Sequence, residues 1–242
     1  MLQRNMVPEL MDDAALDPRA HARALAGLRR LNRASRAPEI IIAPILAFAR
    51  RHERTHLTLL DVACGGGDVP LAITDIAARH GIRLDLTLCD TSGTALAQAK
   101  KNAAAEDIPI ATFTGRAPDH LPDGPFDIVT NSLFLHHLNH DTATATLAAM
   151  SARAAHLLVI SDLVRSTLGL FIAWSASRLL SRSPIVHFDA PASVRAAWTL
   201  SELNAMAQSA GLQNASITPC WPWRILLVQE KSPAPVLAEA PS

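Results

Sequence analysis

Between Leu57 and Leu71 a short apolar run of buried-strand type breaks into Gly65-Gly66-Gly67 and restarts with helical spacing, Asp68 and Pro70 standing in its first turn. The chain repeats this change of period. Apolar runs predict strands near 57–63, 83–89, 109–113, 126–131, 155–161, 214–219 and 223–229, and helical patterns lie near 68–80, 93–105, 141–153 and 200–210. Such alternation predicts a doubly wound α/β sheet. Upstream, Leu25, Leu28 and Leu31 recur at helical spacing between Asp17 or Pro18 and about Ser35, with Asp17 as cap and Pro18 in the first turn. A second helix, about Glu39 to Arg51, has Ile40 to Ile42, Ile45, Leu46 and Phe48 to bury. Residues 1–18 are polar and proline-marked and read as a loosely attached arm. Residues 231–242 are proline-rich and unpatterned and read as a disordered tail.

Composition narrows the classes. At 242 residues and 49% apolar, the chain suits one domain with appendages and a substantial core. Its 22 basic and 22 acidic residues cancel, which removes the electrostatic case for a nucleic-acid partner. Cys64, Cys89 and Cys220 lie far apart without a C-x-x-C pair, as buried apolar residues in a reducing compartment do. The start lacks the long apolar stretch of a signal peptide, and no run reaches membrane-spanning length. A cytoplasmic protein is expected. Tyrosine is absent, and no physical reason for that is evident.

Strand, glycine turn and helix together build a nucleotide pocket, because glycine lets backbone approach a ligand and the helix start offers unpaired N–H groups. Gly65 and Gly67 match the first two glycines of a dinucleotide fingerprint, but Pro70 replaces the third and Asp68 puts a carboxylate where pyrophosphate would rest. A cation suits Asp61 and Asp68 better, as in S-adenosylmethionine. A second strand ends in Asp90, about twenty to twenty-five residues past the glycines, the offset at which ribose hydroxyls are gripped.

With Asp61-Val-Ala-Cys-Gly-Gly-Gly67, Asp90, the segment Gly115 to Pro122 and Phe126 to His137 in this order, the chain resembles class I S-adenosylmethionine-dependent methyltransferases from about Leu57 to Glu230. The likeness is nearest to the small-molecule branch that includes ubiquinone- and menaquinone-type and phenolic polyketide methyltransferases. It implies a Rossmann-like, doubly wound, seven-stranded sheet with an antiparallel last strand, an N-terminal helical lid in 1–56, a methyltransferase domain in 57–230 and a helical insertion at 164–199 after the fifth strand. It assigns S-adenosyl-L-methionine, leaving as S-adenosyl-L-homocysteine, to Asp61, Ala63, Gly65, Gly67, Asp68, Asp90, Thr91, Arg116, Ala117, Asn131 and Ser132. Two positions depart from the pattern: Ala63 replaces the first glycine, and Arg116 stands where relatives place an acid near the adenine, which leaves Ala117 or Asp119 to contact it.

Methyl transfer needs mainly alignment, and a base only where the acceptor is protonated. His136 and His137 follow the fourth strand; one can face the acceptor as base or binding group while the other packs. His187 in the insertion, with Asp189 to orient it, and Asp162 at the end of the fifth strand are the other catalytic candidates, and Arg195 is a candidate for an anionic acceptor group. No metal is expected, since only Asn131 and Asp162 offer oxygen ligands at adjacent strand ends. Asn131 opens no Asn-Pro-Pro-Tyr motif, which argues against adenine or glutamine nitrogen acceptors. The insertion, with its apolar run Leu168 to Leu180, reads as a buried cover or a homodimer face, with a lipid-admitting surface as the alternative. The expected reaction is O-methylation of an aromatic or polyketide-like hydroxyl on a small molecule. C-methylation of a quinone-precursor-like ring and a silent S-adenosylmethionine-binding protein are the alternatives.

Overall fold

The computed structural model describes residues 2–12 and 16–231. The tail expected at 231–242 therefore lies outside the described residues, Lys231 excepted. Seven strands form one sheet: β1 (His56–Val62), β2 (Arg83–Asp90), β3 (Ile110–Thr114), β4 (Phe126–Ser132), β5 (Ala154–Leu163), β6 (Ser216–Cys220) and β7 (Arg224–Glu230). Their order across the sheet is β3-β2-β1-β4-β5-β7-β6. Strands β1 to β5 run parallel, whereas β7 is antiparallel to both β5 and β6. The expected Rossmann-like sheet and its antiparallel edge hairpin are both present. The chain reverses between β1 and β4, so the carboxyl ends of those strands open a crevice at the topological switch point, where open α/β sheets bind ligands.

Among the described residues eight α-helices accompany the sheet: α1 (Pro18–Ala34), α2 (Ala37–Arg51), α3 (Asp68–Arg79), α4 (Gly93–Ala105), α5 (His140–Arg153), α6 (Thr167–Leu180), α7 (Pro184–Ala196) and α8 (Leu200–Ser209). One apolar layer joins Ile41, Ile45 and Phe48 of α2 with Leu71 and Ile73 of α3 and the β1, β2 and β5 residues beneath them. The other joins Leu147 and Met150 of α5 and Leu203 and Met206 of α8 with the opposite face. These helices start where the side chains dictate: Asp17 accepts from Ala20 N–H at 2.8 Å, and Thr199 with Glu202 forms a reciprocal capping box on α8.

The helical insertion expected after the fifth strand is present as α6 and α7, and buried Ile185 and Val186 of α7 pack on α1. One expectation changes. The N-terminal arm is not loose over its described residues. Arg4 donates to the carbonyls of Ala196, His136 and Leu138 at 2.7–3.0 Å and lies 3.4 Å over the Trp198 ring. The Asp189 carboxylate accepts from Leu10 and Met11 N–H at 2.8 and 3.1 Å. Polar side chains thus fasten a segment whose sequence carries no periodic signal.

The apolar run of α6 does not bury itself all round. Gly169, Ala173 and Ser177 face inward, while Leu168, Phe171, Trp174 and Leu179 are exposed. Among the described residues no helix is long and apolar enough to cross a membrane.

The lid helix α1 sits against the α6–α7 turn through Gly27, where an added Cβ would collide with the Ser181 side chain. Substituting a glycine within a helix normally adds about 1 kcal/mol of propensity. Overpacking costs about 1–3 kcal/mol. Gly27→Val, bulky and β-branched, should therefore lower stability by about 2 kcal/mol in a thermal melt, and an unchanged or higher Tm would show that this contact does not set the position of α1.

Candidate active site

The glycine turn leaves β1 in an unusual conformation. Ala63, Gly65 and Gly67 all have positive φ, at 56°, 54° and 77°. Ala63 is the costly one, since a Cβ in the left-handed region loses about 1–2 kcal/mol. A Cβ on Gly67 would stand 3.2 Å from Ala99 Cβ and 3.3 Å from Leu88, so this glycine lets α3 approach α4 and β2. On Gly65 a Cβ would meet nothing within 4 Å, because its open side faces a groove. Asp90, ending β2, accepts from Gly65 N–H at 2.9 Å and from Ser92 N–H at 2.8 Å, which fixes the turn and the carboxylate together. The groove, about 530 Å³, is lined by Ala63, Gly65, Asp90, Thr91, Arg116 and Ala117, joined by Asp119 and Thr142.

Beneath the turn lies Asp61, 2% exposed, whose carboxylate accepts from Thr130 Oγ1 at 2.6 Å. Burial raises its pKa to about 7; the Thr130 hydrogen bond opposes that shift and the Asp90 charge adds to it.

A second, smaller cavity of about 110 Å³ lies under α1, α6 and α7, with Leu28, Leu31, Leu163, Ala173, Val194 and Trp223 as apolar walls. Its polar groups are Glu9, His136, His137, Asn32, Ser35, Ser193 and Arg224. Leu133 and His137 line both cavities. Leu133 holds φ 58° and donates its N–H to Ser161 O at 3.0 Å, so the dividing wall rests on a strained residue pinned to β5.

His136 is 3% exposed, and its Nδ1 meets Asp162 Oδ1 at 2.6 Å while its backbone N–H donates to Asp162 Oδ2 at 3.1 Å. Burial alone would depress the imidazole, but Asp162, through charge and hydrogen bond, and then Glu9 raise it to about 9. Burial likewise opposes ionisation of Asp162, and His136 outweighs it to hold that carboxyl below its ordinary range. Glu9 is brought in by the N-terminal segment, its carboxylate bonded by Ser193 Oγ.

The expected site residues divide. Ala63, Gly65, Asp90, Thr91, Arg116 and Ala117 share the groove, and His136 and His137 share the cavity. Asp68 lies on the outer side of α3, paired with Arg29 at 3.1 Å, so the carboxylate expected at the ligand faces the lid instead. Asn131 is wholly buried, donating from Nδ2 to Val62 O at 2.6 Å across the β1–β4 pair, and it lines neither cavity. Its Oδ1 and the Ser132 hydroxyl have no hydrogen-bond partner among the described residues.

His187 lines neither cavity: its Nε2 donates to Ser181 O at 2.8 Å, and Asp189, two positions on along the helix, binds the N-terminal segment rather than orienting it. Arg195 is exposed on α7 and lines neither cavity. A buried cation that does line the smaller cavity is Arg224 at the start of β7, 1% exposed, donating to Ser35 Oγ and Asn32 Oδ1 at 3.1 Å. Burial lowers its pKa to about 10. Sequence reading missed Glu9, Leu133, Thr142 and Arg224. For Arg224 a signal existed, a lone cation beginning a largely apolar strand. For Glu9 none did.

Residues 59–155 match the family model described as a methyltransferase domain. No curated protein matches the sequence significantly. Among solved structures, the plantazolicin methyltransferase BpumL in complex with SAH aligns at a TM-score of 0.69 and 13% identity, covering 89% of this chain and 91% of that one. Magnesium protoporphyrin IX methyltransferase from Synechocystis with bound SAH aligns at 0.57 and 15%, covering 92% and 91%. An O-methyltransferase family 2 protein from Planctomyces limnophilus, in complex with apigenin, aligns at 0.54 and 17%, covering 73% and 51%. At such identities the likeness is one of fold. The match to the methyltransferase domain model is confined to residues 59–155, which hold the glycine turn, Asp90 and β4.

The Asp61 shift has a definite sign. Its folded pKa, about 7, lies above the unfolded value near 3.8, so the stability it contributes is fully present below pH 4 and is lost as pH rises through 7. Asp61→Asn keeps the acceptor for Thr130 and removes the charge. The variant's Tm, relative to the parent's, should gain several degrees between pH 5 and pH 8.5. A difference that does not change with pH would show that Asp61 ionises normally.

Proposed function

We propose that this protein transfers a methyl group from S-adenosyl-L-methionine to a hydroxyl oxygen of a small aromatic or polyketide-like molecule. One observation carries the reading: the groove at the switch point and the cavity under the lid share the Leu133 and His137 walls, so a donor in one and an acceptor in the other are neighbours. The groove fits the cofactor by its own features. Its volume lies within the range of about 300–1,000 Å³ usual for ligand sites, Gly65 leaves open space, and Asp90 is fixed to receive ribose hydroxyls. Arg116, Ala117, Asp119 and Thr142 would enclose the adenine end. When bound, the cofactor supplies a sulfonium-activated methyl group.

The chain's own task is then to place and prepare the acceptor. Leu28, Leu31, Leu163 and Trp223 give an apolar slot suited to a ring, and Glu9, His136 and His137 cluster on one side of it to receive a hydroxyl. That polar side favours oxygen over carbon as the nucleophile. At about 110 Å³ the slot is smaller than the engineered cavity of about 150 Å³ that takes up benzene, so admitting a ring requires the cover of α1, α6, α7 and the N-terminal segment to give way. Exclusion of water follows when it closes.

Calorimetric titration with S-adenosyl-L-methionine should show one site, and Asp90→Ala should weaken it about 10–100-fold, the equivalent of one or two charge-assisted hydrogen bonds. The parent protein, incubated with isotope-labelled cofactor and a panel of phenols and hydroxylated polyketides, should give methyl ethers by mass spectrometry. A labelled product that keeps its free hydroxyl would replace O- by C-methylation. Cofactor binding with no product on any acceptor would reduce the protein to a binding role.

A further inference from the structure

We propose that Glu9, His136 and His137 form a binding site for one divalent transition-metal ion of the zinc class, on the wall that the acceptor cavity shares with the cofactor groove. His136 Nε2 stands 3.7 Å and His137 Nε2 4.0 Å from the same oxygen, Glu9 Oε1, and the three ligand atoms all lie within 4.8 Å of one another. These separations are too long for hydrogen bonds, which run about 2.7–3.2 Å. They suit shared coordination: two ligands each about 2.1 Å from one ion stand about 3.4 Å apart at the tetrahedral angle and about 4 Å apart when the angle opens.

An independent observation concerns the groups behind the ligands. Metal-bound histidine characteristically donates its other ring nitrogen to a carboxylate, which fixes the tautomer and the ring plane. The Asp162 carboxylate holds His136 Nδ1 at 2.6 Å and the His136 backbone N–H at 3.1 Å, which turns Nε2 toward Glu9. Glu9 has its own support, since Ser193 Oγ donates to it from α7. The backbone carrying the two histidines is held as well: the guanidinium of Arg4 donates to the carbonyls of His136 and Leu138 at 3.0 and 2.8 Å. A chance meeting of polar groups has no reason to be braced from β5, α7 and the N-terminal segment at once.

The donor set decides the ion. Two imidazoles and one carboxylate favour zinc, cobalt, nickel or iron(II) over magnesium or calcium, which prefer all-oxygen shells. Three protein ligands leave a coordination position open, the arrangement of catalytic rather than structural zinc. His137 lines both cavities and Leu133 adjoins it, so the open position faces the acceptor slot beside the cofactor groove. This assignment deepens the function proposed above and rests on it for the ion's role. An acceptor hydroxyl bound there would release its proton to solvent, leaving an oxygen nucleophile held next to the groove.

The test uses the full-length, tag-free protein stripped with a chelator and titrated with Co²⁺ alone, followed by visible absorption and calorimetry. One Co²⁺ per chain should bind with a ligand-field spectrum of a four- or five-coordinate site, and Zn²⁺ should displace it. Glu9→Gln, which keeps the side chain's shape, and His137→Ala should each lose at least 100-fold in Co²⁺ affinity. Asp162→Asn should weaken binding about 10–100-fold and shift the spectrum. S-adenosyl-L-methionine titration of the same variants reports that they remain folded. Absence of Co²⁺ binding by the parent protein, or equal binding by parent, Glu9→Gln and His137→Ala, would overturn the site. If methyl transfer persists in that case, the metal assignment fails and the methyltransferase reading stands. A folded protein that binds Co²⁺ at this site but no S-adenosyl-L-methionine would have the opposite meaning.

Discussion

A single buried carboxylate sets the geometry on which the site depends. Asp162, 2% exposed near the end of β5, accepts from both the ring and the backbone of His136. A carboxylate so far from water is tolerated only with such partners. It therefore dictates the path of the chain after β4: the segment from Leu133 to His137 must turn back over β5, and Leu133 adopts a left-handed conformation in doing so. The wall between the groove and the smaller cavity results from that turn. Remove the carboxylate and the loop loses its reason to carry His136 and His137 where they are.

The other elements act on this fixed centre from outside. Strands β1 and β2 present the glycine turn and Asp90, α1 contributes Leu28, Leu31 and Asn32, and α7 contributes Ser193 and Val194. Arg224 ties α1 to the sheet through Ser35 and Asn32, so the lid is joined to the same edge hairpin that flanks Asp162 on β5. The apolar layers keep the sheet rigid, and polar bonds hold the cover. That division suits a protein whose cover must open while its floor stays still.

The sheet was legible in the sequence because its signals are local. The apolar run at Leu57, the glycines at 65 to 67, and caps such as Asp17 each act over a few residues, and the observed elements begin and end close to the expected positions. The candidate groove was legible only where one motif lines it, as at Gly65 and Asp90. Asp68 does not line it, because adjacency to the glycine turn says nothing about which side of α3 a side chain takes, and Asp68 pairs with Arg29. His187 and Asp189 are close in sequence but diverge around a helix, each meeting a distant partner. Glu9 could not be found at all, since its role arises from contacts with residues more than a hundred positions away.

That separation has a consequence for how the protein acquires its site. Ser193 bonds Glu9 across 184 positions, and Arg4 reaches Ala196 across 192. Contacts so distant in sequence form later than local ones in a folding chain, because loop-closure entropy must be met before they can form. The molecule can thus be compact, with its groove complete, before the N-terminal segment docks. Structural maturity and chemical competence become separate events, ordered in time by the connectivity of the chain.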